Sequence, residues 1–276
     1  MEKVTVYITT HNRVDMLARA LISVQKQTYN NLEIIISDDG STDGTEDYVN
    51  NLLINGFENL FYLRSDMSKG ACNARNLAIS HATGYYITGL DDDDEFTEGR
   101  VEELVSFYEK NEGISFVSSS IKKISKNGIT IDYRNRRKIN SQMLKKSNCV
   151  GNQILTKTQY LRDIGGFDVE LPAWQDYDCW FRLVEKYGAG MNCAIVNYVM
   201  HTEHELPRVS ISGKVKNALD IFISKHKSVL TLSDIKGLVF NFNLYYTDKH
   251  VLKNLIDNFS LDNFIKSMKF LVKNIL

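Results

Sequence analysis

Four apolar runs, each ended by a polar cluster and followed by a segment of helical period, constrain this chain more than any other feature. Val4 to Ile8 is β-branched and aromatic and stops at Thr9-Thr10-His11-Asn12-Arg13, after which Leu17, Ala20, Leu21 and Val24 recur at helix spacing. Leu32 to Ile36 stops at Ser37-Asp38-Asp39-Gly40, and Thr42 or Asp43 caps the next helix. The cycle continues through a strand at Leu60 to Leu63, a helix from Gly70 to His81 and a strand at Tyr85 to Leu90, which meets Asp91-Asp92-Asp93-Asp94-Glu95. The runs are nearly continuous in apolar character rather than alternating, so both faces of each strand are expected to be buried, as in a mostly parallel sheet between helices. The first half is therefore read as α/β and Rossmann-like.

After a helix at Val101 to Tyr108 the pattern becomes mixed. Ile114 to Ser118 is strand-like, and Lys126-Asn127-Gly128 marks a hairpin turn between Ile121 to Ile124 and Ile129 to Ile131. Gly165-Gly166-Phe167-Asp168 closes a short helix, and Trp174-Gln175-Asp176-Tyr177-Asp178 opens another that runs to Gly188. From about Ile211 the chain reads as helices, with ten Lys against five Asp, and is expected to be a basic appendage. The expected division is 1–210 for the catalytic domain, in halves of about 1–112 and 113–210, and 211–276 for a helical extension.

With 276 residues, 43% hydrophobic and 24% charged, the chain can bury one large core with a small appendage. A formal charge of −1, and no basic stripe interleaved with aromatics in the first 210 residues, exclude nucleic acid as the expected partner. Cys72, Cys149, Cys179 and Cys193 lack metal or Cys-x-x-Cys spacing and read as reduced, buried side chains. Met1-Glu2-Lys3 runs straight into Val4 to Ile8, an apolar run too short for a signal-peptide core, and no apolar stretch reaches a membrane-spanning length of about 18 residues. A cytoplasmic protein, at most peripheral on the inner face of the membrane, is expected.

In open parallel sheets ligands bind outside the carboxyl ends of the strands, where three of these polar clusters fall. Four consecutive aspartates repel one another, and a divalent cation is the natural compensation. In an extended segment Asp91 and Asp93 point the same way, and their hard oxygens suit Mg²⁺ or Mn²⁺ with open positions for phosphate. The bland alternative is a solvated acidic turn. Asp39 to Gly44 matches half of a calcium loop, but Asn50 stands where a bidentate Glu is needed and a strand precedes it, so that reading is rejected. Lys69-Gly70-Ala71-Cys72, opening a helix, reads either as a tight turn or as a phosphate neighbour. Asp176 and Asp178 read either as dipole complements or as a base in a sugar cleft beside Trp174 and Tyr177. His201-Thr202-Glu203-His204 is too weak for zinc, with one His as a metal or phosphate contact.

In order, TTHNR, SVQKQTYNNLEIIISDDGSTDGT, GACNARNLAISHATGYYITGLDDDDEF, GGFD and WQDYDCWFRL resemble the family 2 glycosyltransferases of the GT-A fold, over roughly residues 3–210. The resemblance implies a nucleotide-sugar site in which Thr9, His11, Asn12, Arg13 and Asp39 hold uridine, with Arg75 near the nucleotide or diphosphate. Asp91 and Asp93 match the family's DxD motif, which contacts ribose, diphosphate and metal, with Asp92 between them at the nucleotide sugar. It further implies Asp93 and, by a late histidine, His204 as Mn²⁺ or Mg²⁺ contacts. Asp176 falls at the catalytic base, in a motif usually read Glu-Asp whose Glu is here Gln175. An inverting hexosyltransferase follows, with UDP-galactose first and then UDP-glucose or UDP-N-acetylglucosamine. Its expected acceptor is a lipid-diphosphate-linked glycan of O-antigen or capsule type, selected by the 130–180 region and the tail. The competing readings are a nucleotidyltransferase, which lacks its Gly-rich, Arg-containing loop here, and a non-catalytic sugar-binding module, which needs no acid at position 176. Ser260 is expected to cap a last helix with Leu261, Phe264, Ile265, Met268, Leu271, Val272 and Ile275 on one stripe and Lys266, Lys269 and Lys273 on another. That stripe fits either a membrane surface or the protein itself.

Overall fold

The computed structural model describes residues 1–135, 137–203, 212–246, 258, 260 and 262–267. Along the chain run β1 (Val4–Thr10), α1 (Val14–Gln25), β2 (Leu32–Asp38), α2 (Thr45–Ile54), β3 (Leu60–Arg64), α3 (Ala71–His81) and β4 (Tyr86–Asp91). There follow β5 (Glu95–Phe96), α4 (Arg100–Glu109), β6 (Phe116–Ser125), β7 (Gly128–Asp132), β8 (Arg137–Ile139), α5 (Ser141–Leu144) and β9 (Leu155–Lys157). The remainder comprises α6 (Thr158–Asp163), α7 (Gln175–Tyr187), β10 (Gly190–His201), α8 (Ser212–Lys225) and α9 (Leu232–Tyr246).

One sheet carries the order β3-β2-β1-β4-β9-β6-β10-β5, with β7 added to β6 and β8 to β10. The four N-terminal strands are parallel, while β9 is antiparallel to both of its neighbours. Strand order reverses between β1 and β4, which opens a crevice at their carboxyl ends. Side chains of β1 alternate between two cores. Val4, Val6 and Ile8 join Leu17, Leu21 and Val24 of α1 and Leu104 of α4, whereas Tyr7 joins Ile79 of α3 and Phe181 of α7. Helices cover both faces, so every residue of β1 is buried, which explains its unbroken apolar character.

Gly89 of β4 lies beside Tyr7 of β1, and a Cβ built there would stand 2.4 Å from the Tyr7 ring and 2.3 Å from Gln153 Oε1. The missing side chain makes room for both groups. Gly89→Ala is expected to cost about 1–3 kcal/mol through overpacking, read as a lower denaturant midpoint with an unchanged slope.

The helical tail shares the core. Val215, Ala218, Leu219 and Phe222 recur at helical spacing on α8 and are buried in the cluster that holds Trp180 and Phe181 of α7. Phe222 lies flat on Tyr177, with ring centroids 4.7 Å apart and planes 16° apart. Removing the chain after residue 210 would strip this face and is expected to lower the melting temperature and to impair transfer to any acceptor. Farther along, Ser260 Oγ accepts from Asn263 N at 3.1 Å, the expected cap, and Phe264 and Ile265 are exposed. Leu261, Met268, Lys269, Leu271, Val272, Lys273 and Ile275 of the expected stripe lie outside the described residues.

Candidate functional site

The carboxyl ends of β1 and β4 open into a cleft of about 550 Å³. Thr9, His11, Arg13, Asp39, Arg75, the four aspartates and Asp176 line it, so residues separated by most of the chain meet there. His204 lies outside the described residues.

The first wall is the loop after β1. Asn12 adopts φ 54°, in the left-handed region that Asn tolerates, and so turns the chain into α1. Its backbone N–H donates to Ser41 Oγ at 2.8 Å, and its Oδ1 accepts from Thr42 N at 2.7 Å. His11 Nδ1 donates to the Asp39 carbonyl at 2.9 Å. The loops after β1 and β2 thus lock together. Asp39 accepts from Lys69 N at 2.8 Å, Gly70 N at 2.7 Å and Ser68 Oγ at 2.6 Å, which fixes the approach to the N-terminus of α3. Phosphate is at home near such a terminus.

The aspartates do not continue an extended strand. Asp94 N donates to the Asp91 carbonyl at 3.0 Å, so a tight turn replaces the alternation expected of a strand. Asp91 and Asp93 are nonetheless the more exposed pair, at 24% and 21%, while Asp92 and Asp94 are buried. Asp92 accepts from Thr10 Oγ1 at 2.8 Å and from Arg13 at 3.0 Å. Burial raises its carboxyl to about 6, against the pull of Arg13 and Thr10. Asp94 accepts from Tyr198 Oη at 2.7 Å and from His201 N at 2.9 Å, and burial followed by the charges of Asp91 and Asp93 raises it to about 8. A cluster in which burial and neighbouring carboxylates push two carboxyls up is short of positive charge, and Asp91 and Asp93 are its more exposed members. Their oxygens fit a hard divalent cation that takes its other donors from a diphosphate. Among the described residues, no group of three or more His, Cys, Asp or Glu could hold a metal unaided.

Asp91 also accepts from Arg75 at 3.0 Å, Gln153 Nε2 at 3.2 Å and Asn152 Nδ2 at 3.3 Å. Asn152 in turn reaches Tyr198 Oη at 3.2 Å. Nothing in the sequence singles out Asn152, Gln153 or Tyr198, because each comes from a segment without a motif. His201 sits between Glu95 and Glu203, 2.7 Å from each.

Asp176 stands on the first turn of α7. Burial raises its carboxyl above the ordinary aspartate value, while the Tyr177 N–H and Arg75 pull it down. Arg75 thus acts on both Asp91 and Asp176. Asn148 Nδ2 donates to Asp176 Oδ2 at 3.1 Å, while Asn148 Oδ1 accepts from Val150 N at 3.1 Å and Gly151 N at 3.3 Å. That turn aims the amide at the carboxylate. Gln175, in the place of the usual Glu, donates instead to the Leu171 carbonyl at 3.0 Å and so supports the loop rather than Asp176. Tyr177 does not belong to the cleft: it is buried, its ring covers Phe222 and its hydroxyl donates to the Leu144 carbonyl.

Asp178 fixes α7 against α8. Its buried carboxylate accepts from Arg182 Nε at 2.7 Å, His226 Nε2 at 2.8 Å and Lys225 Nζ at 3.0 Å. These partners overcome the cost of burial and hold it at about 2, below its ordinary 3.8. A depressed folded value means that the stabilisation is complete above about pH 4 and lost as pH falls toward about 2, a loss of roughly 2 kcal/mol. Chemical denaturation between about pH 2 and 6 should show this slope, and Asp178→Asn should remove it while lowering stability at neutral pH.

Residues 5–165 match the family described as Glycosyl transferase family 2. The chain is 29% identical over 266 residues, 94% of each protein, to the Escherichia coli K12 glycosyl transferase WcaA, named for colanic acid biosynthesis. It is 30% identical over 199 residues to Escherichia coli WfaP, a UDP-Glc:α-D-GlcNAc-diphosphoundecaprenol β-1,3-glucosyltransferase, covering 71% of this chain and 76% of WfaP. Its fold superposes on S. aureus TarS 1–349 in complex with UDP-GlcNAc with a TM-score of 0.71 at 16% identity, over 98% of this chain and 79% of the other.

Proposed function

The chain belongs to glycosyl transferase family 2, and from that membership we propose that it moves a hexose from a UDP-sugar to a hydroxyl of a lipid-diphosphate-linked glycan, with inversion. The observation that carries this reading is a single cleft with the aspartates at one side, Asp176 at another and Arg75 in the field of both Asp91 and Asp176. The loop of Thr9, His11, Asn12 and Arg13, with Asp39, takes the nucleoside. Arg75 and Asp91 orient the ribose and diphosphate, and Asp92 acts through Arg13, which it holds. Asp176 removes the proton of the acceptor hydroxyl as that oxygen attacks the anomeric carbon and UDP departs. One displacement at an α-linked donor gives a β-linked product, and a second carboxylate is not needed, unlike in glycoside hydrolysis.

Asp93, with Asp91 beside it, is proposed to hold Mn²⁺ or Mg²⁺ against the diphosphate, with His204 as a further contact. When bound, such an ion neutralises the charge developing on the leaving group. UDP as the nucleotide is supported by the TarS complex and by the donor in the name of WfaP. Among hexoses, the name of WfaP supports glucose alongside the galactose that the family resemblance implies, and the acceptor in that name supports a lipid diphosphate. No helix among the described residues is long and apolar enough to cross a membrane. We place the protein in the cytoplasm with peripheral membrane contact, supported by exposed Phe264 and Ile265 beside Lys266.

The test is UDP release across a panel of UDP-sugars, with a short-chain lipid diphosphate of α-GlcNAc as acceptor, with and without EDTA. Acceptor-dependent UDP release supports the reading. Pyrophosphate release would instead mark a nucleotidyltransferase, and binding without turnover a sugar-binding module.

A further inference from the structure

We propose that Trp174 and Tyr246 form the platform on which the acceptor sugar stacks, so that α8 and α9 complete the acceptor side of the cleft; this rests on the transferase reading above. Trp174 occupies φ 61°, ψ 20°, immediately before α7. A bulky side chain in the left-handed region costs on the order of tenfold or more in the local conformational equilibrium, a penalty that Gly would avoid. The strain places the indole two residues from the carboxylate of Asp176, on the wall of the cleft. Such strained residues are held by their surroundings and cluster at functional sites.

Here the surroundings are aromatic. The Trp174 ring meets Tyr177 edge-on, with centroids 5.5 Å apart at 68°, and meets Phe222 of α8 at 6.1 Å and 84°. Packing at its edges stiffens the indole, which remains only partly buried. Val215 of α8 and Tyr246 of α9 line the same cleft. Tyr246 is itself braced by Phe242, 5.8 Å away at 19°.

Arg13, Arg75 and the aspartates carry most of the charge of the cleft, whereas Ala173, Trp174, Val215 and Tyr246 give its lining an apolar and aromatic component, with Asp176 two residues from Trp174. Aromatic rings suit a neutral pyranose, whose C–H face packs on them while one hydroxyl reaches Asp176. The sugar that receives the new linkage is therefore the part recognised here.

The chain has two tryptophans, and Trp180 is only 1% exposed, so acrylamide quenching of the wild-type protein reads Trp174. The short-chain α-GlcNAc diphosphate is expected to protect Trp174 from acrylamide, and UDP alone is expected not to. Kinetically, Trp174→Ala and Tyr246→Ala should each raise the acceptor KM about tenfold or more, with the donor KM and UDP affinity unchanged. Trp174→Phe should restore most of the loss. Trp174→Gly, which relieves the strain, should melt no lower than Trp174→Ala yet bind acceptor as poorly, which separates recognition from folding. An unprotected indole, or an unchanged acceptor KM in Trp174→Ala, overturns the platform. If the wild type turns over no UDP-sugar, the transferase reading fails, and the quenching experiment still decides whether Trp174 meets a sugar.

Discussion

Asp176→Asn is expected to cut sugar transfer by at least about 10²-fold while UDP binds with nearly wild-type affinity, the loss associated with removing a positioned base. Asparagine preserves the shape and the contact with Asn148 but cannot take a proton. Asp176 acts on the acceptor, whereas the donor contacts proposed above come from the loops after β1, β2 and β4 and from Arg75 of α3, so binding and turnover should separate. The pH profile adds a second check. Only the ionised carboxylate is a base, and burial raises its folded value, so activity should fall with decreasing pH at values above the ordinary aspartate range. Removing the Asn148 amide deletes a donor that favours the ionised form, and Asn148→Ala should move this limb to still higher pH. Single-turnover rates across the acid range would measure both. A near-normal rate in Asp176→Asn would reject the base.

The parallel half of the fold was legible because its signal is local: an apolar strand buried on two faces, a polar loop, then a helix. The β6–β7 hairpin was legible for the same reason, through its Asn-Gly turn. β9 and β10 were not, since a three-residue strand has no periodicity to read, and Ala194 at φ 63° with a register shift interrupts β10. The site divides in the same way. Asp39 and the aspartate run each stand at the end of a recognisable strand, and Asp176 opens a recognisable helix. Asn148, Asn152, Gln153 and Tyr198 are polar residues in unremarkable segments, and their work depends on long-range contacts that bring them to Asp91, Asp94 and Asp176. Tyr177 shows the reverse error. Its proximity to Asp176 in sequence suggested a sugar contact, but one helical step turns it into the core against Phe222. The tail could be read as amphipathic, but an amphipathic stripe does not name its partner. For α8 that partner is α7, through Phe222 and the His226–Asp178 contact.

Asp93→Ala is expected to lower kcat/KM by about 10²–10³-fold, the range for losing one preorganised charge contact at a developing oxyanion. EDTA treatment of the wild type should produce a loss of the same kind. The four aspartates should not respond alike, because their burial differs. Asp92 carries Thr10 and Arg13, and Asp94 carries Tyr198 and the His201 N–H, so alanine at either position should act mainly through stability and loop order. Asp93, with a fifth of its side chain exposed and Arg13 at 3.5 Å, is the carboxylate best placed to exchange a protein contact for an ion. UDP titrated with and without Mn²⁺ isolates this. In the wild type the ion should tighten UDP binding, since it offsets repulsion between the diphosphate and a cluster that already lacks positive charge. In Asp93→Ala that gain should vanish while the metal-free affinity stays level or rises, because one repelling charge has gone. Equal UDP affinity with and without Mn²⁺ in the wild type would contradict the proposed metal contact and leave Arg13 and Arg75 as the groups that balance the diphosphate.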